Sequence, residues 1–214
     1  QHCFGFSHGS PFTGLQTATR YRPTKNIDHV TEKHLISCNL AFRRKVLQDT
    51  PFDPEIFPNE ENDLINRISR KSHLLAYNPA FFVYHHRRKN LMAYVKQIFN
   101  WGKGRTIHTL KKPAHLDLVF FVPLIFLFYI LSLPFIQHPI YKIPLYLYLI
   151  LDLIFALETA LHNKNWCAIS MMIWIFPITH LTYATGLLYG FTSIFTKKKK
   201  LPEEKSFSLI KIEI

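Results

Sequence analysis

Several groups of side chains in this 214-residue chain could do chemistry by type and spacing. The run NEENDLINR places Glu60, Glu61 and Asp63 just after Asn59. Carboxylates so crowded can accept protons, and acids opening a helix are also favoured by its positive end, by about 0.3–1 kcal/mol each. His85 and His86 close the run LLAYNPAFFVYHH. On a strand, neighbouring side chains point to opposite faces, so only one of the two can enter a pocket. Gln97, Trp101 and Arg105 recur at intervals of four and share one face of a helix. There an indole suits stacking against the apolar face of a sugar, and a guanidinium suits two-pronged contact with phosphate. Cys3, Cys38 and Cys167 have no paired spacing, which fits a reducing face and no zinc site.

The elements that must hold these groups come in two materials. Residues 1–115 carry 18 basic and 8 acidic side chains, whereas residues 116–196 carry 2 and 3. A hydrophobic content of 48% excludes a disordered tail, and three cysteines are too few for a disulfide scaffold. Within the basic half, the pattern predicts an extended piece ending near Asn39 and a helix from about Arg43. A proline-rich loop follows, then a helix capped by Asn59 that buries Leu64 and Ile68. A buried strand over 74–86 comes next, then an amphipathic helix over 91–110 carrying Tyr94, Ile98 and Trp101. Alternating strands and helices indicate an α/β layer.

The other half reads as membrane. Three apolar runs, 116–136, 143–161 and 166–195, approach or exceed the roughly 20 residues needed to cross a hydrocarbon core. Basic residues from Arg87 to Lys112 precede the first run, which places residues 1–115 on the cytoplasmic side. Lys197 to Lys200, in the basic tail 197–214, want that side too, and three crossings would deny it to them. The expected resolution is two full crossings followed by a re-entrant or interface-lying third element, broken at Pro177. Asp152 and Glu158 lie inside the second run, where acids usually face protein or water.

The runs CNLAFRRKVL, FDPEIFPNEENDLINRI, AYNPAFFVYHHRR and QIFNWGKGR, in that order and followed by membrane helices, resemble the C-terminal half of a membrane-anchored family 2 glycosyltransferase. HLTYATGLLYG at 180–190 is similar to the last membrane segment of exopolysaccharide and succinoglycan-type members. The resemblance implies a GT-A fold of class α/β for residues 1–115, with an inverting transfer from a nucleotide-sugar donor to a lipid-linked or polysaccharide acceptor. It implies Glu61 as the base beside Glu60, although the family usually has Asp at that position. It implies His85 as a metal or diphosphate ligand, and an acceptor and phosphate shelf of Gln97, Trp101, Lys103 and Arg105, with Asn100 standing where the family has Arg. Asn39 and Asp63 complete the expected substrate-binding set, and Arg43 is a further candidate for the acceptor side.

A divalent cofactor, Mg or Mn, is expected together with a donor-binding half and D-x-D motif that this sequence lacks. The turn-rich start (Gly5, Gly9, Pro11, Gly14) is accordingly expected to continue a longer protein, and this chain alone is expected to be inactive. Membrane lipids are the other expected partners, and nothing points to a specific nucleic acid. Two rival readings are a non-enzymatic basic anchor that holds anionic lipid or nucleic acid, and a small transporter built on Asp152 and Glu158.

Overall fold

The computed structural model describes residues 1–22, 29–54, 56, 59–71, 73–111 and 117–196. It contains eight α-helices among them: α1 (His2–Gly9), α2 (Pro11–Gly14), α3 (Arg44–Asp49), α4 (Glu60–Arg70), α5 (Leu91–Lys111), α6 (Val122–Ser132), α7 (Ile143–His162) and α8 (Ala168–Thr196). The tail 197–214 lies outside the described residues.

The expected α/β layer is not there. Among the described residues no strand forms, so the fold is all-α and the GT-A assignment of residues 1–115 is overturned. The stretch expected to end extended near Asn39 makes a short 3-10 turn at Ser37–Asn39. Residues 81–88 run without regular structure, and Leu74 and Tyr84 are 93% and 95% exposed. The reason is that a strand is made by its neighbours. FFVY has the composition of a buried strand, but that preference measures packing against a paired surface, and no paired strand runs beside this one among the described residues.

α4 forms as its pattern requires, burying Leu64, Ile65 and Ile68. Its start differs from the expected cap. Asn59 sits in the left-handed region at φ 113° and its side chain does not cap the helix. Instead its backbone N–H donates to Glu60 Oε2 at 2.9 Å, and its own amide oxygen accepts from Asn62.

α8 is the centre of the molecule. α1, α2, α5, α6 and α7 all pack on it, and the core gathers Phe4, Tyr94, Ile98, Ala156, Met172, Ile175 and Phe176. α5 and α8 run parallel, with Tyr94 beside Thr179, Gly102 beside Tyr183 and Leu187, and Thr106 beside Gly190. Their backbones touch because glycine leaves room: a methyl at Gly102 would run into the Tyr183 carbonyl, and one at Gly186 into that of Phe99. The seam is tied by Thr106 Oγ1, which donates to the Leu187 carbonyl at 3.0 Å.

Two helical stretches, Pro139–His162 and Ala168–Ser193, are long and apolar enough to cross a membrane, and they form an antiparallel pair joined by a short turn. Their identity differs from the expectation. The first run yields the 15-residue helical stretch Leu118–Ser132, which at 1.5 Å per residue is about 22 Å long, short of a core of about 30 Å. The third run, expected to break at Pro177, is one continuous helix of 29 residues. A proline removes one backbone donor, but neighbouring helices on several sides keep α8 whole.

Candidate functional site

The sequence-marked groups are brought together only in part. Glu60 is spent on the backbone of Asn59, and Glu61 is half-buried on the first turn of α4. Its charge is felt by Arg20, the last residue of the 3-10 turn Leu15–Arg20, and by Tyr21, which follows it. Arg20 is fixed there by three acceptors: Nε donates to the Lys33 carbonyl at 2.9 Å, and Nη2 donates to the Glu32 carbonyl and to Asn62 Oδ1 on α4. Burial pushes the Tyr21 phenol up, so it stays protonated.

Around Tyr21 the chain assembles rings. His8, 5% exposed at the end of α1, lies 5.3 Å from Tyr21, 5.4 Å from Tyr94 and 4.9 Å from Trp101. Burial first and the Arg87 cation second push the His8 imidazole down to about 3, so the ring is neutral at physiological pH. α1 is held in register by Ser7, whose hydroxyl meets that of Tyr94 at 3.1 Å, and Tyr94 meets Thr179 of α8 at 2.6 Å. Trp101 keeps one side on His8 and remains 37% exposed, an indole backed by protein and open in front. The Arg87 guanidinium lies over the Tyr21 ring at 4.6 Å, and Arg105 feels the charge of Arg20 from α5.

Four segments thus meet: residues 1–22, the start of α4, the chain at Arg87, and the middle of α5. Together they offer a carboxylate, an open indole, a neutral imidazole and guanidinium groups. Glu61 reaches this cluster through Arg20 and Tyr21, and Trp101 reaches it through His8.

Other expected members stand elsewhere. Asp63 is fully buried and pairs with Arg67 Nε at 2.7 Å, while His108 Nε2 of α5 lies 3.6 Å from its other oxygen. It joins α4 to α5. Gln97 accepts from Arg88 at 3.2 Å, Asn39 donates to the Phe81 carbonyl at 3.0 Å, and Lys103 lies over Tyr189 at 5.0 Å. Arg105 covers the Phe120 ring at 3.9 Å. His85 is exposed on the irregular segment, and among the described residues no three His, Cys, Asp or Glu side chains converge. The described residues therefore do not make a metal site by themselves.

His8, Arg20, Tyr21 and Arg87 are the members that sequence reading missed. None belongs to a periodic pattern, and each meets the site through contacts far away in sequence. The available signal was Gly5, at which a Cβ would stand 3.3 Å from Arg87 Cγ: a glycine facing another chain segment marks a close approach.

In the long helices, Glu158 is held by both terminal nitrogens of Arg22, at 2.8 and 3.0 Å. His180 Nε2 donates to the Phe12 carbonyl at 2.9 Å, so its Nδ1 accepts from the Tyr148 hydroxyl, also at 2.9 Å. Comparison with protein-family models, with curated proteins and with solved structures finds no match to this chain.

Proposed function

We propose that this chain serves an inverting glycosyl transfer at a membrane surface, from a nucleotide-sugar donor to a lipid-linked or polysaccharide acceptor. The observation that supports it is the convergence of Glu61, Trp101 and guanidinium groups beside a helix seamed to an apolar one. In this reading Glu61 takes the proton of the acceptor hydroxyl as its oxygen attacks the anomeric carbon. The C–O bond to the donor diphosphate breaks on the opposite face, and the diphosphate leaves with the bonding pair. Trp101 seats the acceptor ring, and guanidinium charge meets the leaving diphosphate. The Mg or Mn ion expected from the sequence would need ligands beyond the described residues, and no step on this chain depends on its geometry.

Two crossings by α7 and α8 would return the chain to the face from which it started. The end of α8 then shares a side with Lys142 at the start of α7 and Lys111 at the end of α5, and the positive-inside rule makes that side cytoplasmic. Glu158, occupied by Arg22, works against a transport role built on it and Asp152.

The test is sugar incorporation from labelled nucleotide sugars into lipid and polymer fractions, using membranes that carry the whole protein. Glu61→Gln should lower transfer by about 10²–10⁴-fold, the usual worth of a positioned base. Undiminished incorporation would remove Glu61 from the role.

A further inference from the structure

We propose that Arg87 is a diphosphate-binding residue, its guanidinium held over the Tyr21 ring beside His8 and the Glu61 and Trp101 cluster. The choice of diphosphate among anions rests on the glycosyl-transfer reading; the availability of the guanidinium rests on geometry.

Other arginines around the cluster are occupied. Arg20 donates to two carbonyls and to Asn62, Arg22 holds Glu158, and Arg67 divides its donors between Asp63 and the Pro51 carbonyl. Arg88 reaches Gln97, and Arg105, a phosphate ligand that the resemblance implies, covers Phe120 and spends a donor on the Tyr183 hydroxyl. Lys103, which like Arg105 is expected to replace the arginine that the family has at the Asn100 position, lies over Tyr189 on the α8 side.

Arg87 differs in being fixed while its donors stay open. The ring of Tyr21 carries it at 4.6 Å, its stem rests in the notch left by Gly5, and its own carbonyl accepts from the Gln1 side chain at 2.6 Å. Among the described residues no carboxylate pairs with it. A guanidinium held over a ring by cation–π attraction still carries N–H donors along its edge, and that edge is the part that grips phosphate oxygens in pairs. Because the side chain is already ordered, binding an anion costs it little further entropy. His8, beside it, is neutral and does not repel it.

Two phosphate sources share this chemistry: the nucleoside diphosphate of a donor, and the diphosphate joining an acceptor to its lipid. The experiment places the whole protein in phosphatidylcholine nanodiscs and follows phenylglyoxal labelling of Arg87 by mass spectrometry. Inorganic pyrophosphate should protect Arg87 from labelling. Protection by uridine diphosphate in plain discs assigns the donor side, and protection by polyprenyl diphosphate built into the disc assigns the acceptor side. Arg87→Gln should weaken pyrophosphate binding by roughly 10-fold or more, the scale of one charge-assisted pair, with Arg88→Gln within about twofold of the unaltered protein.

Labelling of Arg87 that pyrophosphate does not slow overturns the proposal, as does an equal loss in Arg88→Gln, which would mean diffuse charge. The labelling uses unaltered protein and needs no turnover. A protein that protects Arg87 but loses no transfer in Glu61→Gln would therefore sink the catalytic reading alone.

Discussion

α7 and α8 pass the same test of length and hydropathy, yet α7 buries 11% of its most apolar window and α8 buries 39%. α7 turns Leu147, Ile150, Leu153, Ile154, Leu157 and Leu161 outward, as a helix does whose solvent is lipid. α8 spends its surface on other helices, and where α5 lies against it even Cβ atoms are excluded. Hydropathy identifies which helices can enter a bilayer. Small residues identify which one is built to be covered.

The largest effect that could break this contrast is Gly186→Val. Its side chain would meet the Phe99 backbone, which cannot swing aside, so we expect a loss of about 3 kcal/mol or more, read as a fall in thermal midpoint or as protease sensitivity of the purified protein in detergent. Wild-type stability in that variant would mean that the glycine seam does not exist.

A second effect tests the layer docked on the α8 side. His8 is held neutral with its folded value near 3, against 6.5 when unfolded. The unfolded chain therefore takes up a proton that the folded chain refuses, and stability present above about pH 6.5 drains away as pH falls towards 3. His8→Phe, which keeps a ring against Trp101, should flatten that limb of an unfolding-against-pH curve; an unchanged limb would mean that His8 is not buried.

Thr106→Val should cost about 1 kcal/mol in the same denaturation assay, because it leaves the Leu187 carbonyl without its hydroxyl partner while keeping the shape. The smallest effect belongs to α7. Leu153→Ala removes a side chain that is 55% exposed and should change stability by no more than about 0.5 kcal/mol in detergent. A loss of several kcal/mol there would show that α7, too, is covered.

Some of this was legible in the sequence. Helix periodicity located α4 with Leu64 and Ile68, and α5 with Tyr94 and Ile98, since a repeat of 3.6 needs no partner to be read. The strands were misread because apolar runs such as FFVY state a preference for burial and say nothing of whether a sheet is present to supply it. Pro177 was overweighted: its local cost is real, but packing on several faces of α8 decides the outcome. Of the candidate cluster, Glu61 and Trp101 are marked by motif and spacing, whereas Arg105 shares that spacing and lies over Phe120 instead. Arg87 was visible only as one basic residue among several, because what distinguishes it, a ring beneath and no acid opposite, is a property of the folded chain.

The parallel seam joins residues more than 80 positions apart, Thr106 to Leu187 among them. During synthesis at about 5–20 residues per second, α5 must therefore wait roughly 4–16 s for its counterpart to leave the ribosome. Over that interval Gly102 lacks the backbone that later shields it, so assembly of the Trp101 platform is a late event in the protein's biogenesis.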